Sequence, residues 1–277
     1  MSKLSINRTT KLCMSLSARP GNFGTRFHNH LYEALGLDYV YKAFSTRDLE
    51  GAIHGIRALG IRGCAVSMPF KEACIPMLDS LDPSAEAIGS VNTIVNTVGH
   101  LHAYNTDYIA IVRLVAETPI DRDIPFLLTG SGGMAKAVAS ALRDNGFRNG
   151  TIVARNKTTG PALAEACGYR WASGLADAEA GMLINVTPVG MEGGPEVDDL
   201  AFPQAMIEAA RVVVDAVALP SETPTIKAAR VLGKRVVTGA EIQTVQAVEQ
   251  FILYTGQTPT EEQIAAAAAF AQGKTAA

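Results

Sequence analysis

Short apolar, β-branched runs alternate along this chain with longer mixed segments that end at glycines. KLCMSLS (11–17) reads as a strand, and NFGTRFHNHLYEALG (22–36) as a helix stopped by Gly36. DYVYKAF (38–44) is a strand by its aromatic and β-branched content. Ser45 with Asp48 predicts a capped helix running to Gly60. IRGCAVS (61–67) is a third strand, with a helix after Pro69. VNTIVNT (91–97) and LHAYNTD (101–107), joined around Val98-Gly99-His100, read as a hairpin. A first α/β unit thus ends near Asp107.

A second unit opens near residue 124. IPFLLTG (124–130), TIVAR (151–155), GMLINVT (181–187), RVVVDAV (211–217) and KRVVTG (234–239) are strands. SGGMAKAVASALRDNG (131–146), KTTGPALAEACG (157–168) and TPTIKAARVLG (223–233) are helices. This alternation implies βαβ crossovers and a doubly wound parallel sheet. Continuous apolar stretches such as FLL and VVV fit a sheet covered on both faces. Two helices close the chain. Thr258-Pro259-Thr260-Glu261 predicts a capping box before the second, whose alanine run (264–271) reads as a packing surface. The expected fold class is α/β with two domains, 1–108 and 109–237, and C-terminal helices (238–277) returning to the first.

Composition narrows the function classes. The 277 residues are 48% hydrophobic and 18% charged, as in globular proteins. The net charge is −3 without a basic block, which argues against nucleic acid or an anionic membrane as partner. No apolar run reaches membrane-spanning length, and MSKLSINRTTKL has no apolar signal core, so a cytoplasmic chain is expected. Cys13, Cys64, Cys74 and Cys167 are scattered and expected to be reduced thiols. His100 and His102 alternate along a strand without a third ligand nearby, so no metal is expected. The expected partner is a small molecule, bound by a monomer or homodimer.

Two segments carry chemistry. Gly130-Ser131-Gly132-Gly133-Met134-Ala135 matches G-x-G-x-x-A between a predicted strand and helix. Glycines there let the backbone approach a pyrophosphate, and the helix start supplies free N–H groups. The bland alternative is a tight β–α turn. The next strand ends at Arg155, with Lys157 beyond it and no carboxylate to take a ribose 2′-hydroxyl. That favours NADP over NAD, unless both cations are ordinary solvated loop residues. The second segment is CAVSMPFKEA (64–73). Lys71 follows an apolar run at a predicted helix start, where a cation opposes the helix dipole. That potential and an apolar wall would lower its pKa and suit it to move a proton at a carbonyl. Asp107, at a predicted strand end, is a candidate partner. Read locally, a surface lysine with a snorkelling stem remains the default.

Together, SLS (15–17), VSMPFK (66–71), SVNTIV (90–95), YNTD (104–107), GSGGMAKA (130–137), ARN (154–156), NVTPVGM (185–191) and GAEIQTVQA (239–247) resemble, in order and spacing, the shikimate dehydrogenases. The likeness is greatest to the divergent shikimate dehydrogenase-like branch. It implies a substrate domain, an NADP-binding Rossmann domain, a site in the cleft between them, and NADP-dependent interconversion of 3-dehydroshikimate and shikimate. By the same resemblance Lys71 and Asp107 form the proton-transfer pair. Ser15 and Ser17 bind the substrate carboxylate, and Ser67, Asn92, Asp107 and Gln246 its hydroxyls. The cofactor is held by Gly130 to Ala135, Arg155, Asn156, Lys157 and Gly239, with Thr187 and Met191 near the nicotinamide. Such a site rejects a substrate lacking a hydroxyl, because a buried polar partner is left unpaired.

The chain departs from the family pattern in places. Met14 stands for a histidine, Ala18-Arg19 separate Ser17 from Pro20, and Ala65-Val66-Ser67 replaces Asn-Val-Thr. Ala218 stands for a tyrosine, Glu241-Ile242-Gln243 for Gly-Met-Leu, and Thr159 lies near the place of an extra arginine. These departures keep open a quinate or aminoshikimate dehydrogenase of altered specificity, and a non-catalytic NADP(H)-binding regulator. Locally, Ser15, Ser17 and Asn92 also fit turn roles, and Gln246 a solvated helix face.

Overall fold

The computed structural model describes residues 5–117, 119–175 and 180–273. The first four and last four residues of the expected terminal segments lie outside the described residues. The chain divides into two compact units, Met1–Thr106 with Thr244–Ala277, and Asp107–Gln243.

The first unit begins with β1 (Lys11–Leu16), α1 (Phe23–Ala34), β2 (Tyr39–Phe44), α2 (Leu49–Ala58), β3 (Gly63–Val66) and α3 (Phe70–Ala73). It continues with β4 (Ser80–Leu81), α4 (Pro83–Glu86), β5 (Thr93–Thr97) and β6 (His100–Tyr104). The sheet order is β2-β1-β3-β5-β6-β4. Only β5 runs antiparallel to its neighbours. The carboxyl ends of β1, β3 and β6 therefore meet the amino end of β5 at one end of the sheet.

The chain then forms α5 (Thr106–Glu117), β7 (Phe126–Thr129), α6 (Gly133–Asp144), β8 (Gly150–Val153), α7 (Thr159–Cys167), β9 (Arg170–Ala172) and β10 (Met182–Asn185). There follow α8 (Gln204–Ala209), β11 (Val212–Asp215), α9 (Pro224–Val231), β12 (Arg235–Thr238), α10 (Gly239–Thr255) and α11 (Glu261–Ala271). The second sheet is wholly parallel, in the order β12-β11-β10-β7-β8-β9. Read from β9, this is the doubly wound 3-2-1-4-5-6 order of dinucleotide-binding sheets. Its central strands are largely apolar and buried, FLLT in β7 and MLIN in β10, because helices cover both faces.

In the first unit the period-two pattern of β1 divides two cores. Cys13 joins Phe27, Leu31, Tyr32, Phe251, Tyr254 and Ala267 from α1, α10 and α11. Met14 and Leu16 join Ile53 and Ile56 of α2 on the other face.

Several boundaries differ from expectation. Asp48 itself caps α2 by accepting from the Gly51 N–H at 2.8 Å, because the Thr46 hydroxyl first turns the chain at Asp48 N–H. The box at α11 is Thr260 with Gln263, two residues beyond the expected pair, and Pro259 precedes it. Asp107 does not end a strand: β6 stops at Tyr104, and Asp107 lies in the first turn of α5. That helix, β9 and α8 are not anticipated by the sequence pattern. The hairpin forms as expected, with Thr97 opposite His100 and positive φ at both turn residues, Val98 (53°) and Gly99 (86°). No helix among the described residues is long and apolar enough to cross a membrane.

Candidate active site

In the first unit, loop extensions knit the carboxyl ends of β1 and β3 together. The Ser67 N–H donates to the Leu16 carbonyl at 2.9 Å, and the Ala18 N–H to that of Met68 at 3.2 Å. Ser17 is 6% exposed, and its hydroxyl has no partner among the described residues. Ser67 is exposed at the same sheet end. Ser15 is half-buried beside the Tyr41 hydroxyl, a hydrogen-bonding neighbour that also engages it structurally.

Lys71 is half-buried in α3, which is only four residues long. So short a helix aligns few peptide dipoles, so the opposing dipole read from the sequence is small. What fixes the lysine backbone is the Val91 N–H, which donates to its carbonyl at 2.9 Å. The next residue, Asn92, is buried at the amino end of β5. Its Oδ1 accepts from the Thr106 N–H at 2.7 Å, the Thr106 hydroxyl at 3.1 Å and the Thr93 hydroxyl at 2.9 Å. Its Nδ2 has no partner among the described residues.

Thr93 is in turn held by Gln250 of α10, whose Nε2 donates to its hydroxyl at 3.0 Å. Gln250 also neighbours the fully buried His28 ring, which stacks on Tyr41 at 4.5 Å. Burial holds the His28 pKa down, to about 3. Gln246 lies one turn before Gln250 on α10 and is half-buried. Sequence reasoning missed Thr93, Thr106, Gln250 and His28. The available signal was polar residues at positions where the apolar pattern requires burial, and Gln250 four residues after Gln246 on one helix face.

The structure thus gathers Ser17, Ser67, Asn92 and the Lys71 backbone at one end of the first sheet. Asp107 belongs to the second unit and is 2% exposed in the first turn of α5.

In the second unit β7 and β10 are adjacent at the switch point of the strand order, where such sheets bind ligands beyond their carboxyl ends. Gly130 follows β7 with φ 111°, and its N–H donates to the Val153 carbonyl at 2.8 Å. A Cβ there would come within 3.1 Å of the Val186 side chain. Gly132 caps α6, and Gly133, Met134 and Ala135 form its first turn, whose N–H groups lack intrahelical acceptors. Ser131 bonds Thr159 at 2.7 Å, so the position near the missing arginine tightens the loop instead. Arg155 and Lys157 are exposed just past β8. Between them Asn156 accepts from the N–H groups of Thr158 (2.9 Å) and Thr159 (3.0 Å), which ties down the turn leading into α7.

The loop after β10 is anchored by a buried polar cluster. Asn185 Oδ1 accepts from the Thr187 hydroxyl at 2.6 Å, and its Nδ2 donates to Asp215 at 3.0 Å. Asp215 also accepts from the Thr223 hydroxyl at 2.7 Å. Burial raises the Asp215 pKa, against those hydrogen bonds, which lower it. Met191 at the end of this loop is 42% exposed. Gly239 has a packing role: a Cβ would lie 2.3 Å from the Val217 carbonyl. The departure at Glu241 has a reason too. Its carboxylate accepts from the Thr238 N–H at 2.7 Å and the Thr238 hydroxyl caps the Glu241 N–H, a capping box opening α10. Among the described residues no three His, Cys, Asp or Glu side chains cluster as metal ligands.

Fold and loop geometry define the class: two α/β units, the second a Rossmann fold with a glycine turn at its switch point. Residues 23–94 match the shikimate dehydrogenase substrate binding domain model. The chain is 57% identical to a shikimate dehydrogenase-like protein of Haemophilus influenzae, over 97% of this chain and 99% of that one. A solved shikimate 5-dehydrogenase-like protein superposes with a TM-score of 0.93 at 57% identity, covering 96% of this chain and 99% of that chain. The shikimate 5-dehydrogenase of Thermus thermophilus, solved with NADP(H) and shikimate, gives 0.85 at 31% identity, over 94% and 99% of the two chains. The chain belongs to the shikimate dehydrogenase family.

Proposed function

We propose that this protein is an NADP-dependent oxidoreductase that interconverts 3-dehydroshikimate and shikimate. The observation that carries the reading is the sheet end where the unpaired, buried Ser17 hydroxyl and Asn92 amide sit beside the Lys71 segment. Buried polar atoms without partners are costly, so they fit groups kept for a ligand. Family membership and a relative bound to NADP(H) and shikimate support the choice of reaction.

The glycine turn and first turn of α6 fit a pyrophosphate, and Arg155 with Lys157, in the absence of a carboxylate after β8, fits a 2′-phosphate. When bound, the dinucleotide supplies or accepts the hydride. In the reducing direction the carbonyl oxygen gains negative charge and the Lys71 ammonium gives it a proton. In the oxidising direction neutral Lys71 takes the hydroxyl proton. Asp107 serves as the carboxylate of the pair, holding the ammonium for transfer. Ser15 and Ser17 bind the substrate carboxylate, and Ser67, Asn92 and Gln246 its hydroxyls. Thr187 and Met191 stand at the nicotinamide end of the cofactor.

Initial-rate NADP⁺ reduction with shikimate, with quinate and NAD⁺ as controls, tests the reading. Lys71→Ala should lower kcat by about 10²-fold or more while shikimate still binds. Near-normal turnover in that variant would remove Lys71 from the mechanism. Ala218, half-buried where the family pattern has a tyrosine, favours a second reading with altered specificity. A higher kcat/KM for quinate than for shikimate would select it.

A further inference from the structure

The direction of the Asn92 amide is fixed by its partners. The Thr106 backbone N–H can only donate, so the Asn92 atom 2.7 Å from it is the oxygen. The two threonine hydroxyls reach the same oxygen, at 2.9 and 3.1 Å. Gln250 sets the sense of the Thr93 hydroxyl. Its Nε2 lies 3.0 Å from that hydroxyl and 3.5 Å from the Asn92 carbonyl, which only accepts. The amino end of Gln250 therefore faces Thr93 and the Thr93 oxygen accepts from it, which leaves the Thr93 proton for Asn92 Oδ1 at 2.9 Å, nearer than the Thr106 hydroxyl at 3.2 Å. All these side chains are buried, and reversal of Asn92 would set an NH₂ against the Thr106 N–H, which cannot accept.

We propose that Thr93, Thr106 and Gln250 are positioning residues that lock Asn92 with its N–H donors toward the ligand. This position then selects an acceptor oxygen, hydroxyl or keto, and rejects a charged amine. The inference rests on the proposed substrate reading and deepens it. A hydroxyl or carbonyl accepts from Nδ2, whereas an ammonium group offers only donors and leaves two sets of buried donors opposed.

The test measures equilibrium binding of shikimate and of analogues in which each ring hydroxyl in turn is replaced by an amine. The wild type should bind at least one amine analogue about tenfold or more weaker than shikimate. Thr93→Val, which keeps the shape and loses the hydroxyl, should narrow that ratio, and Thr93→Ser should retain it. Gln250→Met should narrow it as well. Asn92→Asp, which keeps an acceptor for all three donors but presents a carboxylate oxygen to the ligand, should shift the preference toward the amine. Equal binding of all analogues by the wild type, or the same ratio in Thr93→Val and Thr93→Ser, overturns the proposal. If the wild type binds no shikimate, the substrate reading itself fails. The locked amide is then judged by thermal stability: Asn92→Asp should keep a Tm well above that of Asn92→Leu, which leaves the buried Thr106 N–H without its acceptor. Equal losses in those two variants overturn the lock.

Discussion

His28 shows how burial converts one side chain into a pH response. Enclosed by Tyr41, Phe251 and Tyr254, its ring stays neutral in the fold down to a pKa of about 3, whereas the unfolded chain takes up the proton near 6.5. The unfolded state therefore binds more protons between those values, so stability is fully present above about pH 6.5 and declines as pH falls toward 3. The slope from this one group is about 1.4 kcal/mol per pH unit. Denaturant melts of wild type and His28→Phe from pH 7 to pH 4 should show a shallower acid decline in the variant. Parallel curves would mean that His28 does not titrate on unfolding. At Gly239 the argument is steric. The nearby Val217 backbone cannot move aside as a flexible side chain could, so Gly239→Ala should destabilise by about 1–3 kcal/mol. A melt within a few tenths of a kcal/mol of wild type would contradict this.

At the scale of elements, the β5–β6 hairpin carries local strain. Val98 is β-branched, fully exposed and held at φ 53°, a region where side chains such as valine are disfavoured. Asparagine followed by glycine suits such a turn. Val98→Asn should therefore raise stability by about 1 kcal/mol, read as a higher denaturant midpoint at unchanged slope; a lower midpoint would show that the turn tolerates valine without cost. The helices show what the chain pattern reveals and what it hides. Gly36 and Gly60 were legible stops, since positive φ follows each helix there. The Thr260–Gln263 box was harder, because Thr258 competes for the cap and only the folded backbone decides between them. Asp107 was misread because nothing local in LHAYNTD marks the strand's end at Tyr104, where the folded chain turns into α5.

For the whole molecule, the nucleotide reading can be tested without turnover. Ligand bound only to the folded protein adds RT ln(1 + [L]/Kd) to its stability, about 2.7 kcal/mol at one hundred times Kd. NADP⁺ should raise Tm more than NAD⁺ at equal concentration, and Arg155→Ala should erase most of the difference. An equal rise for the two nucleotides in the wild type would set the 2′-phosphate assignment aside. The α/β class, the glycine turn and the parallel second sheet were written in the chain itself, because each depends on local periodicity and on glycine where φ is positive. So were the Lys71, Asn92 and Asp107 blocks that carry the family resemblance. What the sequence could not show was which polar atoms remain unpaired. Asn92 and Asn105 are both buried asparagines, yet Asn105 donates its amide to the Ser90 carbonyl at 2.8 Å, while Asn92 keeps its amide without a partner among the described residues. That distinction depends on Thr93, Thr106 and Gln250 converging from β5, α5 and α10. Hydrogen-bond satisfaction is a property of three-dimensional neighbours, so only the tertiary structure could decide it.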